Sequence, residues 1–167
     1  MLSQLATLVQ SMKPLLQTLA FTIVVPGSVA GYIPWLLRAH SAPRPTTLSL
    51  STGIVLIAFG VTVYAHTAFW GFAFRGRGTP APLAPTQNLV ISGLHRYIRN
   101  PMYIGVLLIV AGQAVLFDSR TVLLYAAFLW LAFHVFVLLY EEPALHKQFG
   151  PEYDNYKQRV PRWLPNF

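Results

Sequence analysis

The sequence predicts an all-α integral membrane protein of about four transmembrane helices, with a C-terminal helical hairpin and a cytoplasmic amphipathic tail, and three observations carry that fold class. Apolar residues make up 54% of the 167 positions and charged residues only 10%, against roughly a quarter charged in soluble domains. The apolar residues fall in runs that approach or exceed the roughly 20 helical residues needed to cross a bilayer core of about 30 Å. Charges collect in the connectors and after position 140, where four of the five acids lie. At this length the chain is a single membrane domain, 1–167.

The first span covers 15–37. Pro26 and Pro34 should kink it, which a membrane helix tolerates when neighbours satisfy the freed carbonyls. A cleaved signal peptide is disfavoured, because the positive start is missing and the apolar run is too long. After the Pro-rich connector 40–47, a second span covers 48–74. The connector 75–99 opens on Arg75-Gly-Arg-Gly78, carries Pro80, Pro82 and Pro85, and then reads Gln87-Asn-Leu-Val-Ile-Ser-Gly93. Its length and its place before the main motif mark it as functional.

The third span, 101–117, starts at Asn100-Pro101, where Asn accepts orphan donors as N-cap and Pro fits the first helical position. The fourth covers 121–140. Only Asp118-Ser-Arg120 separates them, so they form a tight antiparallel hairpin. The third is short for a full crossing and calls for interfacial ends or a locally thin bilayer. In the tail, Leu145, Phe149, Tyr153, Tyr156 and Val160 recur every three or four residues, which predicts an amphipathic helix broken at Gly150-Pro151. Trp163 suits an interfacial anchor.

With four spans, nine of the twelve Lys and Arg residues fall on the side of the N-terminus, the 75–99 connector and the tail. Arg38, Arg44 and Arg120 face the other way. The positive-inside rule therefore puts both termini and the candidate site in the cytoplasm. The net charge of +7 is scattered over connectors instead of forming a stripe, so membrane lipids are the expected counterpart and nucleic acid is not. There is no Cys, hence no thiolate nucleophile or disulfide, and the five His residues show no ligand spacing, so no metal is expected.

The chemistry is expected in two stretches, 87–105 and 141–165. A helix starting at Pro101 points its positive end at the cytoplasm, where N–H groups can receive a carboxylate. Arg96 and Arg99 add charge there, while His95 and Tyr103 add donors and flat rings. Glu141 and Glu142 stand where the fourth helix should emerge, and acids at a helix C-terminus oppose its dipole unless a cation compensates. Packing has its own claim on these residues: the acids can pair with Arg96 and Arg99, and Gly105 and Gly112 fit close helix contacts better than ligand contacts. His134 lies two turns before Glu141 and can line a substrate cavity, with Trp70, Phe72, Phe128 and Trp130 along its lipid side.

Arg99-Asn-Pro-Met-Tyr-Ile-Gly105, the apolar hairpin, Glu141-Glu142, and Phe149-Gly-Pro-Glu-Tyr-Asp-Asn-Tyr156 followed by Val160-Pro-Arg162 occur in this order. Over 87–165 they resemble the isoprenylcysteine carboxyl methyltransferase and phospholipid methyltransferase family. The resemblance implies a membrane enzyme using S-adenosylmethionine, contacted by Gln87, Asn88, Leu89, Val90, His95, Asn100, Pro101, Met102, Tyr103 and Glu141; Arg99, from its place beside the helix start, is a further candidate contact. Relatives commonly carry His where Asn100 stands and an aromatic where His95 stands. The eukaryotic isoprenylcysteine enzymes also carry an Arg where this chain has Val137, a departure that bears on a prenylcysteine carboxylate acceptor.

The function expected is methyl transfer to a lipophilic or small membrane-partitioning acceptor. Glu142 or His95 is the candidate base if the acceptor is an amine or phenol. Two other classes compete. A sterol-reductase-like enzyme binding NADPH shares an Arg-x-Pro-x-Tyr motif but has many more spans. A non-catalytic module binding lipid or a partner would leave Tyr103 and the Glu pair dispensable.

Overall fold

The computed structural model describes residues 15–38, 46–75 and 88–165, and among these no strand occurs. Five helices organise the described chain: α1, Leu15–Leu37; α2, Thr47–Phe72; α3, Pro101–Leu116; α4, Arg120–Phe149; and α5, Pro151–Arg159. Helices α1, α2 and α4 are long and apolar enough to cross a membrane. At 16 residues, α3 falls below the usual crossing length of about 20.

The fourth helix differs from expectation. It does not end near 140 but runs on to Phe149, so Glu141 and Glu142 lie inside a helix instead of at its C-terminus. Pro143 should break it, since its ring crowds the carbonyl four residues back and it offers no N–H. A π-helical stretch, Val137–Glu141, precedes the proline and widens the turn enough for the helix to continue.

Proline shapes α1 in the same way. The stretch Gly27–Tyr32 is π-helical, and Pro34 follows it. Without a proline N–H, the carbonyls four and five residues earlier, on Ala30 and Val29, lose their helical donors. Neighbouring helices replace them: Gln113 Nε2 donates to Ala30 O, and Tyr125 OH donates to Val29 O at 2.9 Å. The freed carbonyls thereby dock α1 onto α3 and α4. Thr22 Oγ1 and Tyr64 OH, 2.8 Å apart, tie α1 to α2.

Helices α2 and α3 meet backbone to backbone through two glycine pairs, Gly53 with Gly112 and Gly60 with Gly105. A Cβ on Gly60 would lie 2.7 Å from the Gly105 carbonyl oxygen, and one on Gly53 would lie 2.8 Å from that of Gly112. The seven-residue spacing on each helix repeats the contact after two turns. Gly105 and Gly112 are thus the close-packing positions expected, and the approach fixes how α3 stands against α2.

The hairpin turn is short because one motif ends α3 and starts α4. Ser119 N–H reaches Ala114 O at 2.9 Å and Asp118 N–H reaches Val115 O at 3.2 Å, with Asp118 in the left-handed region at φ 46°. Ser119 Oγ then accepts from Val122 N–H at 3.4 Å, capping α4.

Candidate active site under a C-terminal strap

The site forms where the N-terminus of α3 meets the middle of α4. Asn100 caps α3 and Pro101 takes its first position, as expected, but the Asn100 side chain caps nothing. Its Nδ2 instead donates to Arg162 O at 3.2 Å, because the returning tail lies alongside and offers a carbonyl. The tail also pairs by backbone, Arg99 N–H donating to Pro161 O at 2.9 Å. Gly150, at φ 53°, supplies the left-handed turn that lets the chain reverse between α4 and α5. From there Tyr153 packs inward at 2% exposure, and Tyr156 OH donates to His95 O at 2.7 Å. Residues 150–163 therefore form a strap across the α3 N-terminus.

Under the strap the two acids take different partners. Glu142 receives Arg99 Nη1 at 2.9 Å and Arg162 Nε at 2.6 Å on Oε1, and Arg162 Nη2 at 3.2 Å on Oε2. Its carboxylate in turn holds the Arg162 proton more tightly than usual. Expected as a general base, Glu142 has both oxygens engaged by guanidinium groups. Glu141 accepts one hydrogen bond, from Tyr103 OH at 2.7 Å. Arg99 is about nine-tenths buried, and its Nε has no partner among the described residues.

Rings wall the Tyr103 side. Tyr103 packs on Phe133 at 4.6 Å between centroids and faces Trp163 at 6.5 Å. Trp163 Nε1 donates to His134 Nδ1 at 2.9 Å, and Trp130 stacks on His134 at 5.5 Å. Trp70 stands half-exposed on the π-helical end of α2, a different helix from this cluster.

His95 lies on the other flank, in the short 3₁₀ turn Gly93–Arg96. It is 6% exposed, with its ring edge-on to Phe72 at 5.4 Å. Burial, then the nearby His66, push its pKa down to about 4, against a smaller opposing hydrogen bond at Ser92. Gly93 is required here twice over: its φ is +62°, and a Cβ would come within 2.9 Å of His66 Nε2. Because the fold favours neutral His95, its contribution to stability is full above the ordinary pKa of about 6.5 and is lost as pH falls towards 4. The change is of order 3 kcal/mol. Thermal melts in detergent should show this slope between those pH values, and His95→Phe should flatten it.

Of the other residues implied to touch a cofactor, Val90 and Met102 are buried, Leu89 is half-buried and Asn88 is exposed. Gln87 lies outside the described residues. Leu89 also lines a groove of about 560 Å³ between this segment and α5, with Ile91, Arg96, Tyr156, Arg159 and Val160. Among the described residues no three His, Asp or Glu side chains converge as a metal site would need. Sequence reasoning passed over Arg162, Trp163, Tyr153 and Tyr156 as site residues. The available signals were the Phe149–Tyr156 motif for the two tyrosines and the run Val160-Pro-Arg-Trp163, which keeps charge and a large ring after the amphipathic pattern ends.

The phospholipid methyltransferase family model matches residues 48–152, which includes α2, α3, α4 and the first residues of α5. The protein-S-isoprenylcysteine O-methyltransferase of Mus musculus is 30% identical over 116 residues, 69% of this chain and 41% of the relative. The enzyme of the same name from Schizosaccharomyces pombe is 33% identical over 78 residues, 46% of this chain and 33% of the relative. Protein-S-isoprenylcysteine O-methyltransferase B of Arabidopsis thaliana is 35% identical over 80 residues, 47% of this chain and 40% of the relative. The matched stretch thus spans about two-fifths or less of these relatives. No solved structure matches the chain.

Proposed function

This chain belongs to the phospholipid methyltransferase family, and from that premise we propose that it transfers a methyl group from S-adenosylmethionine to a lipophilic acceptor at the membrane. The observation that carries the reading is the pairing of Tyr103 with Glu141 beneath the strap, beside the α3 N-terminus. The surrounding residues fit the donor chemically. Glu141 offers an acceptor to an ammonium or to ribose hydroxyls. The buried Nε of Arg99, unpartnered among the described residues, offers a donor to a carboxylate. Val90, Met102 and Asn100, which the resemblance implies as donor contacts, are buried. When bound, the donor supplies an electrophilic methyl group on a sulfonium.

The rest of the work falls to orientation and to exclusion of water, because charge is neutralised as the methyl moves. Both sequence candidates for a base are unsuited to it. Glu142 is bridged by two guanidinium groups, and His95 is a neutral imidazole with little basicity. This favours an acceptor that arrives already nucleophilic, such as a carboxylate, over an amine or phenol that must lose a proton. The names of the relatives agree with an oxygen acceptor on a prenylated cysteine. The charge bias of the connectors supports a cytoplasmic site.

Calorimetric titration of S-adenosylmethionine, and separately of NADPH, into detergent-purified protein tests the reading. S-adenosylmethionine should bind, and Glu141→Gln and Tyr103→Phe should each weaken it by about tenfold or more with little change in melting temperature. Binding of NADPH alone would replace this reading with a reductase. A loss of stability without a loss of affinity in Glu141→Gln would make the pair structural.

A further inference from the structure

Trp163 sits at a boundary. On one side is the half-buried Tyr103–Glu141 pair, whose tyrosine ring it faces at 6.5 Å. On the other is His134, which takes its indole N–H at 2.9 Å and lies under Trp130. Trp130 is 45% exposed and Leu131 beside it 52%, on a helix long and apolar enough to span, so this side opens onto acyl chains. Phe133, from the same helix, packs on Tyr103 at 4.6 Å.

The indole is also held from behind. Arg162, the preceding residue, is fixed on Glu142 by two of its nitrogens. Trp163 therefore has an anchored neighbour, and among the described residues it meets α4 through one hydrogen bond and a ring contact, both to His134. Breaking that bond and turning the Trp163 rotamer would join the lipid-facing surface of α4 to the Tyr103–Glu141 pair without disturbing the Arg162 anchor.

Resting on the methyltransferase reading above, we propose that Trp163 is the specificity-determining residue on the acceptor side, a door on the His134 face of α4 past which a lipophilic acceptor brings its reactive end from the bilayer to Tyr103 and Glu141. His134 is its latch. Accepting at Nδ1 leaves the His134 proton on Nε2, so the latched imidazole has a donor free to meet a polar head as the door opens.

The chain has no Cys, so one introduced thiol is a clean reporter. In Phe133→Cys protein in liposomes, labelling by N-ethylmaleimide should be slow. Adding Trp163→Ala should speed it by about tenfold or more, as expected when a closed barrier is removed. Equal rates would overturn the proposal, and this arm does not depend on methyl transfer.

The second arm uses the protein with Phe133 intact and two acceptor probes, N-acetyl-S-geranylcysteine and N-acetyl-S-geranylgeranylcysteine. Trp163→Ala should change the ratio of their kcat/KM values by about tenfold while S-adenosylmethionine affinity stays within about twofold. Trp163→Phe, which keeps a ring but loses the latch, should shift the ratio in the same direction by less. An unchanged ratio, or a loss of S-adenosylmethionine affinity as large as the acceptor effect, would place Trp163 in the donor site or the scaffold and refute the door. Should the unsubstituted protein methylate neither probe, the acceptor reading fails and the labelling arm alone judges the door.

Discussion

Gly105→Ala should destabilise the protein by about 3 kcal/mol, whereas the same change at Gly31 should move stability by no more than about 0.5 kcal/mol. At Gly105 the new methyl would lie 2.8 Å from Tyr64 N and 2.9 Å from Gly60 O. Both are backbone atoms of α2, so no side chain can turn aside and the two helices must part. At Gly31 nothing lies within 4 Å of the built Cβ. Alanine favours a helix over glycine by up to about 1 kcal/mol at either place, so a loss confined to Gly105 measures the helix contact. Thermal melts of both variants in one detergent decide it. Equal melting temperatures would mean that α2 and α3 are not in backbone contact.

Glu142→Gln should cost about 3 kcal/mol and release the strap. The carboxylate is about nine-tenths buried between Arg99 and Arg162, and a neutral amide would leave two guanidinium groups facing each other with no counterion. The strap should then open about a hundredfold more often, since each 1.4 kcal/mol is worth tenfold. Trypsin cleavage after Arg159 and Arg162 reports this opening directly. Were Glu142 instead a general base, the substitution would abolish turnover and leave both melting temperature and trypsin resistance intact. Replacing Arg162 by Met in the same chain removes one of the stranded cations and should restore part of the lost stability.

The helical, membrane-embedded character was legible in the sequence because hydrophobic runs and charge-rich connectors are local properties. So were the Asn100-Pro101 helix start and the Gly150-Pro151 break, each set by two adjacent residues. The continuation of α4 through Pro143 was not legible, since proline is read as a stop unless the wider turn ahead of it is known. The pairing of Gly53 and Gly60 with Gly112 and Gly105 was half visible: the repeat of seven occurs on both helices, but only the fold sets one against the other. For the site, Tyr103, Glu141 and Arg99 could be named from motif order; the structure pairs Tyr103 with Glu141, while Arg99 goes to Glu142. What each acid does could not be read, because it depends on Arg162, twenty residues beyond Glu142 in the chain. Trp163 looked like an interfacial anchor, since its indole partner His134 belongs to a different helix.

The glycine-to-glycine contact has a bearing on how such a chain can change over generations. Helices that touch through backbone leave little room for substitution, so the face of α3 set against α2 should tolerate few changes at Gly105 and Gly112. The strap is held by a few side chains on α4 and the α3 start, and its own sequence is free wherever those anchors persist. Sequence change is therefore expected to be tolerated first in the strap and on the exposed side of α4, and last at the glycine contact between α2 and α3.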